Sequence, residues 1–591
     1  MSPLDEIDRF RCLDAPAPGD IGMSDAPPVP FSDLPSFFLA ARYGFVLLYV
    51  AFLWLLARMP HAGLLAAGAV GLALYSWFVL EWPLERLYAF APPFDRMFNV
   101  AMGATAATGH SPFESYQVAA ADLEPFWRLV LKTVSLGRPE NVLAFYPYFT
   151  PIVMVLLASS LYFGFRDANA GEGVGDERRF EAALLVFFVL LLNSSPYEQF
   201  GVFRSFWPMN FLLKPNHVLG FVILPWIVRA VSRPGRWTGA LAGAALLSAL
   251  SWVFLMHWSF VVAGLLCYPF VAHGLGRPAQ TKRVLSAVSL SFMAALPYVL
   301  FLVSNFHWGH GGAVAEKVWL QLGYEEGFYN VFAVGYEHGA LFLLSLIGIA
   351  GMVKRRLGSD LVWLSLLAGC VLGWAGYLVL FAVDKIIEPD EFYFYSRFLL
   401  TLAAGSGAFF LWRKARESLA LEGKASSRAL CLGLVLLLPQ TFPYWWNPLK
   451  MDRYYELALS PLPNQMVEMA RWIRDETSPD AVFVAGGATS LWIASLSGRR
   501  VLTTANFRPT FDFEERVDLE RRMIVGGEEA AFREAQTRFG VSHLAIDPAY
   551  LEALGADPVS VESMPWLRIL YRRDGLRIFA IRVSGASQAP P

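Results

Sequence analysis

The chain has 591 residues, of which 55% are hydrophobic and only 17% charged, with a mean hydropathy of +0.43. Charged residues make up about a quarter of an ordinary soluble protein, so the composition excludes that class and points to a chain built largely in lipid. A net charge of −2 leaves no basic surplus for a general nucleic-acid binder.

Residues 1–42 form a polar, acidic, Pro-rich tail (Asp5, Glu6, Asp8, Asp14, Asp20) that reads as disordered. The tail has no apolar stretch of the kind a cleavable signal needs, so the first spans must do the targeting. Cys267, Cys370 and Cys431 lie inside apolar runs and Cys12 in the tail, a distribution that argues against a disulfide framework or a Cys-type zinc site.

A helix needs about 20 apolar residues to cross a bilayer with its backbone satisfied. Windows of that kind fall near 43–58, 62–81, 145–164, 181–195, 216–231, 238–255, 258–273, 284–303, 338–353, 360–383, 396–412 and 428–441, giving about twelve transmembrane helices within a membrane domain over 43–442. Lys and Arg gather in alternate loops: Arg166, Arg178 and Arg179; Arg229, Arg233 and Arg236; Arg277, Lys282 and Arg283; Lys354, Arg355 and Arg356; then Arg413, Lys414, Arg416, Lys424 and Arg428. By the positive-inside rule these loops face the cytoplasm. The large loop 82–144, the loops 196–215, 304–337 and 384–395, and everything after 442 then face outward. Aromatics such as Trp207, Trp308, Trp319, Tyr393 and Trp445 crowd those edges, as an interfacial belt does. The expected location is a plasma or inner membrane, crossed many times, with the C-terminal domain outside the cytoplasm.

From Met451 the pattern becomes that of a soluble α/β domain, placed at 451–585. An amphipathic helix over 463–476 precedes a buried strand at 481–485. A helix (489–496), a strand (501–504), two charged helices (512–524 and 528–539) and a strand (541–546) follow. Asp574-Gly575 between two apolar-alternating runs, 567–573 and 576–583, is a two-residue type I′ hairpin signal. Gly486-Gly487 follows a strand without the remainder of a dinucleotide fingerprint or a P-loop lysine, and reads as a structural turn.

The first outward loop carries the strongest motif. Ala91-Pro92-Pro93-Phe94-Asp95-Arg96 leads into a short helix that ends in Gly109-His110-Ser111-Pro112-Phe113-Glu114, and Phe145-Tyr146-Pro147-Tyr148 opens the third span. This combination resembles the first external loop of the C-type glycosyltransferase superfamily, which includes oligosaccharyltransferase catalytic subunits, protein mannosyltransferases and lipid A aminoarabinose transferases. The resemblance implies a multi-span fold and a sugar donor linked to polyprenyl phosphate or pyrophosphate. It also implies an essential acid at Asp95, acting as base or as ligand of a divalent cation (Mg or Mn). Arg96 and Asn99 stand where many relatives have a second acid or a histidine, a departure that bears on metal binding. Asp95 equally suits a helix N-cap. Glu114, Glu198, Glu388, Asp390 and Glu391 are further acidic candidates in the outward loops, each a possible second carboxylate or a solvated loop charge.

In Tyr395-Ser396-Arg397-Phe398-Leu399-Leu400 an arginine sits at the outward mouth of a span. The segment resembles the "R-[FY]-L-L-P" start of a late span in the same superfamily, without its proline. The resemblance implies that Arg397 holds the donor phosphate, a task that suits a guanidinium; an interfacial anchor is the other reading. Lys214-Pro215-Asn216-His217 offers a second phosphate or acceptor contact, or marks a span boundary. His257 reads as a satisfied polar residue, and His307, His310 and Glu316 have loose metal-like spacing in a Gly-rich stretch.

The functional expectation is an inverting membrane glycosyltransferase fed by a lipid-linked sugar. The alternatives are a non-catalytic assembly protein of the same fold, or a lipid or polysaccharide transporter or flippase. Span interiors nearly free of ionisable residues, and no visible repeat, speak against transport.

Overall fold

The structure is a computed structural model that describes residues 69–70, 94–120, 124–168, 175–191, 215–232, 237–305, 340–383, 389–419, 464–503 and 513–582. Helices dominate up to residue 419, and a five-stranded sheet lies in the C-terminal part.

Three short or amphipathic elements make up the loop expected over 82–144: α1 (Phe94–Ala107), α2 (Pro125–Ser135) and the opening turns of α3 (Pro139–Ala168). Then follow α4 (Gly175–Leu191), α5 (Pro215–Ser232), α6 (Thr238–Val253), α7 (Leu255–Leu266), α8 (Tyr268–Gly274), α9 (Thr281–Asn305), α10 (Ala340–Arg355), α11 (Gly358–Val383) and α12 (Pro389–Leu419). Among the described residues, three helical stretches are long and apolar enough to cross a membrane: Tyr148–Arg166, Leu255–Gly274 and Thr281–Leu302. Thr238–Val253 and Gly358–Gly373 are shorter apolar helices. The expected spans near 43–58 and 428–441, and nearly all of 62–81, lie outside the described residues, as does the 1–42 tail. Phe254, in extended conformation, breaks α6 from α7, where the sequence divides two spans.

Contacts sort the loops by end. The basic loops meet one another: Arg355 at the end of α10 bonds Glu181 on α4 (2.9 Å) and Asp360 on α11 (2.6 Å). Arg178 also reaches Glu181, and Arg416 reaches Glu177. At the opposite set of helix ends, Phe113 of the first loop inserts its ring among Trp252, Tyr298 and Phe301.

The C-terminal sheet runs β2-β1-β3-β5-β4, with β1 (Val482–Ala485), β2 (Arg500–Val501) and β3 (Val541–Ile546) parallel and β4 (Leu567–Arg573) and β5 (Leu576–Ile581) a hairpin on the edge. Asp574 and Gly575 both have positive φ (47° and 82°), as a type I′ turn requires. Period-two alternation gives the sheet two buried faces. Val482, Val484, Leu544 and Phe579 pack under α15 (Phe513–Ile524) and α16 (Glu529–Phe539), named after α13 (Asn464–Glu476) and α14 (Gly487–Trp492). Phe483, Ala485, Ala545 and Ile578 pack with α13 and also with Phe98, Met102, Leu131, Val142 and Leu143 of the first loop. Two short helices, α17 (Pro548–Leu554) and α18 (Pro558–Glu562), each capped by an aspartate before a proline, were not foreseen from the pattern. Gly486 is explained by packing, since a Cβ there would lie 2.7 Å from the Tyr550 ring.

Candidate functional site

The first loop folds into a buried polar and aromatic unit. Asn99 on α1 accepts a hydrogen bond from the Trp127 indole (2.8 Å), and the fully buried Arg128 donates to Thr105 (2.7 Å). Gly103 lets α1 approach α2 and α3, because a Cβ there would meet Leu131 and Val142 at 2.6 and 2.7 Å. Asn99, one of the two departures from the resembled motif, is therefore part of the loop's packing.

Asp95 is the second residue of α1, inside the helix and not at the N-cap position before it. Glu114 is half exposed, 3.8 Å from Arg500 of the sheet domain. Asp390 and Glu391 lie in the first turn of α12. Lys214, Glu198, Glu388, His307, His310 and Glu316 lie outside the described residues. Arg397, on the third turn of α12, is 2% exposed, with Tyr395, Ser396 and Phe398 buried beside it. A guanidinium so enclosed is not a solvent-seeking anchor of the kind that snorkels.

The sequence reading missed Glu124. It precedes Pro125 at the start of α2, is 2% exposed, and accepts a 2.9 Å hydrogen bond from Asn216 on the first turn of α5. That bond ties the first loop to the helix bundle. Beside Asn216, the His217 ring lies 5.9 Å from that of His257, which in turn lies 6.1 Å from Tyr395. Phe221 and Phe254 pack against His257 at 4.5 and 4.6 Å, and Phe221 stacks on Phe398. Glu124, Asn216, His217, His257 and Tyr395, from α2, α5, α7 and α12, thus form one buried cluster, and the buried Arg397 follows two residues after Tyr395 on α12. Contrary to the expectation of a satisfied residue, His257 has no hydrogen-bond partner on either ring nitrogen among the described residues. Burial next to a proline is what hid Glu124, since an acid before Pro ordinarily signals a helix start.

Among the described residues no three His, Cys, Asp or Glu side chains converge to hold a metal ion. On the loop's other flank, the His110 imidazole lies 3.2 Å from the Pro479 carbonyl, and burial together with the Arg500 charge holds its pKa below the ordinary histidine value. The neutral ring then donates Nε2–H to that carbonyl.

Among the described residues, the chain is thus a mostly helical protein with three stretches long and apolar enough to cross a membrane and an α/β sheet domain towards its C-terminal end. No protein-family model and no curated protein matches the chain. Among solved structures it is similar to the archaeal oligosaccharyltransferase AglB from Archaeoglobus fulgidus in complex with an inhibitory peptide and a dolichol-phosphate, at 11% identity and TM-score 0.47, over 89% of this chain and 75% of that one. The Archaeoglobus fulgidus oligosaccharyltransferase complex with Zn and sulfate is similar at 12% identity and TM-score 0.47, over 88% and 73%. ArnT from Cupriavidus metallidurans bound to undecaprenyl phosphate is similar at 13% identity and TM-score 0.44, over 91% and 98%.

Proposed function

We propose that the chain is a membrane-embedded glycosyltransferase that takes a sugar from a polyprenyl-phosphate or pyrophosphate carrier on the outward side of the membrane. The observation that carries this reading is Arg397, a guanidinium almost wholly enclosed at the end of the bundle where the Asp95 loop docks. A planar guanidinium matches phosphate oxygens in pairs.

In the proposed step an acceptor hydroxyl or amide attacks the anomeric carbon from the face opposite the phosphate. The new bond to the acceptor forms as the anomeric C–O bond to phosphate breaks, and the lipid phosphate departs with the electron pair. The Asp95 carboxylate takes the acceptor proton. Direct displacement inverts the anomeric configuration. Arg397 neutralises charge on the departing phosphate, and Lys214, immediately before α5, adds a second cation to that role. A carrier lipid that stays in the bilayer requires the site to lie at the membrane boundary, as this one does in the reading of the loops.

The test is consumption of a lipid-linked sugar by the purified protein. Parent activity lost in Asp95→Asn and in Arg397→Ala supports the reading; an active parent matched by Asp95→Asn overturns it.

A further inference from the structure

We infer that the first outward loop and the soluble domain are one mechanical body, and that Arg516 of the domain is a positioning residue for Asp95. The inference rests on the role proposed for Asp95, but its geometry stands apart from the chemistry.

The loop completes the sheet. Gln117 pairs in parallel with Val501, with Val118 N–H donating to the Val501 carbonyl (3.0 Å) and Val501 N–H to the Tyr116 carbonyl (3.1 Å). The two-residue strand β2 would otherwise be an open edge. Arg516, 1% exposed, locks this junction: its Nη1 donates to the carbonyls of both Val118 (2.8 Å) and Leu502 (2.9 Å). A guanidinium is buried so completely only where its donors are used.

From that clamp a short path leads to Asp95. Tyr116, two residues before Val118, stacks its ring on Phe98 at 6.3 Å and 13°. Phe98 lies one helical turn beyond Asp95 on α1. The other end of α1 is held as well. The Thr108 hydroxyl donates to the Gly498 carbonyl (2.9 Å), and Gly498, at φ +70°, leaves room for Ala104 O where a Cβ would sit 2.6 Å away. Between these ends Phe98, Val100, Ala101 and Met102 share a core with Ile493, Ala494 and Leu496 of the domain. A domain that swung away as a lid would split this core and return its apolar side chains to water. The soluble domain is thus a scaffold that sets the height and pitch of the helix carrying the base, and it stays in place during turnover.

Three measurements on the full-length protein in lipid test this. In hydrogen exchange, the amides of Val118 and Val501 are expected in the same slow class as those of β1 and β3; fast, independent exchange at Val118 overturns the inference. That readout needs no activity, so it decides the matter even if no lipid-linked sugar is consumed. Arg516→Ala is expected to lower kcat about tenfold with donor KM within about twofold and to speed exchange at 116–118, with Arg516→Lys in between, because one ammonium reaches the two carbonyls less well. Parent-like kcat with parent-like exchange overturns it. Should Arg516→Ala fail to fold, the decision falls to Glu140→Cys/Arg474→Cys, a pair now 2.8 Å apart as an ion pair. Cys12 and Cys431 are replaced by Ser and the new thiols joined by a short bis-maleimide. An unchanged rate after cross-linking supports a single body, and a rate abolished by it means that the domain must open.

Discussion

Asn216 donates 2.9 Å to the carboxylate of Glu124, and both side chains are at least 96% enclosed. The bond joins two helix starts, each at a proline, that lie far apart in sequence and belong to different layers: the loop and the bundle. Removing one partner leaves the other buried and unsatisfied, at a cost of about 1–3 kcal/mol. Glu124→Ala is therefore expected to lower the melting temperature in lipid, and Glu124→Gln, which keeps an acceptor oxygen, to lower it less. Asn216→Asp should be worse than Asn216→Ala, since it sets two carboxylates against each other. An Asn216→Asp protein as stable as the parent would show that the contact is not maintained.

At the other end of the bundle, Arg355 bridges Glu181 and Asp360, whose side chains are 5% and 2% exposed. Breaking a buried ion pair on one side costs about 3–5 kcal/mol, because the partner charge is stranded. Arg355→Ala should lose most of its monodisperse protein on heating, as followed by size exclusion in detergent. Arg355→Lys should rescue it only in part, since an ammonium cannot serve both carboxylates with paired hydrogen bonds. Full rescue by lysine would mean that charge alone matters there.

These two clusters show what the sequence makes legible. Apolar windows of span length locate helices such as Leu255–Gly274, because lipid forces both composition and length. Asp574-Gly575 announces its hairpin because few residues accept positive φ twice in a row. Arg397 could be singled out as a cation at an apolar edge, and its enclosure followed only from packing. Glu124 was hidden because an acid before Pro125 reads as a helix start, and its burial depends on Asn216 arriving from another layer. The pairing of Gln117 with Val501 has no local signal at all, since one bridge between distant segments leaves no periodicity to detect.

The soluble domain should show two opposing pH effects. Burial raises the Glu520 carboxyl to about 7, against the hydrogen bonds from Thr503 and Tyr550 and the charge of Arg516. The folded domain holds that proton more tightly than the unfolded chain, so this stabilisation is complete below about pH 4.5 and is lost as pH rises toward 7. Burial, helped by Arg499, lowers His543 to about 4. Here the folded state binds the proton more weakly, so the stabilisation is present above about pH 6.5 and is lost as pH falls toward 4. The two partly cancel between pH 5 and 6.5. Glu520→Gln should flatten the fall in melting temperature from pH 5 to 8, and His543→Gln should flatten the fall below pH 6. A parent and Glu520→Gln variant with parallel profiles would place the Glu520 pKa elsewhere.

Deleting the chain from 464 onward should unfold the first loop and not merely uncover it. Phe98, Met102, Leu131, Val142 and Leu143 are at most 5% exposed because Phe483, Ile493, Leu496 and Ile578 lie in the same core. Each such side chain is worth about 1.5–3 kcal/mol when fully buried, so losing the domain face removes an amount comparable to a small unit's whole typical margin of about 5–15 kcal/mol. The converse holds for the domain, since one face of its sheet is closed by its own α15 and α16 and the other partly by α1, α2 and α3. Expressed alone, residues 464–591 should be aggregation-prone and bind a hydrophobic dye, and co-expression with 94–147, which stops short of the apolar Tyr148–Arg166 stretch, should restore soluble, protected material. A cooperative thermal transition in the isolated fragment, with little dye bound, would mean that the loop helices merely rest on a face that the domain can close unaided.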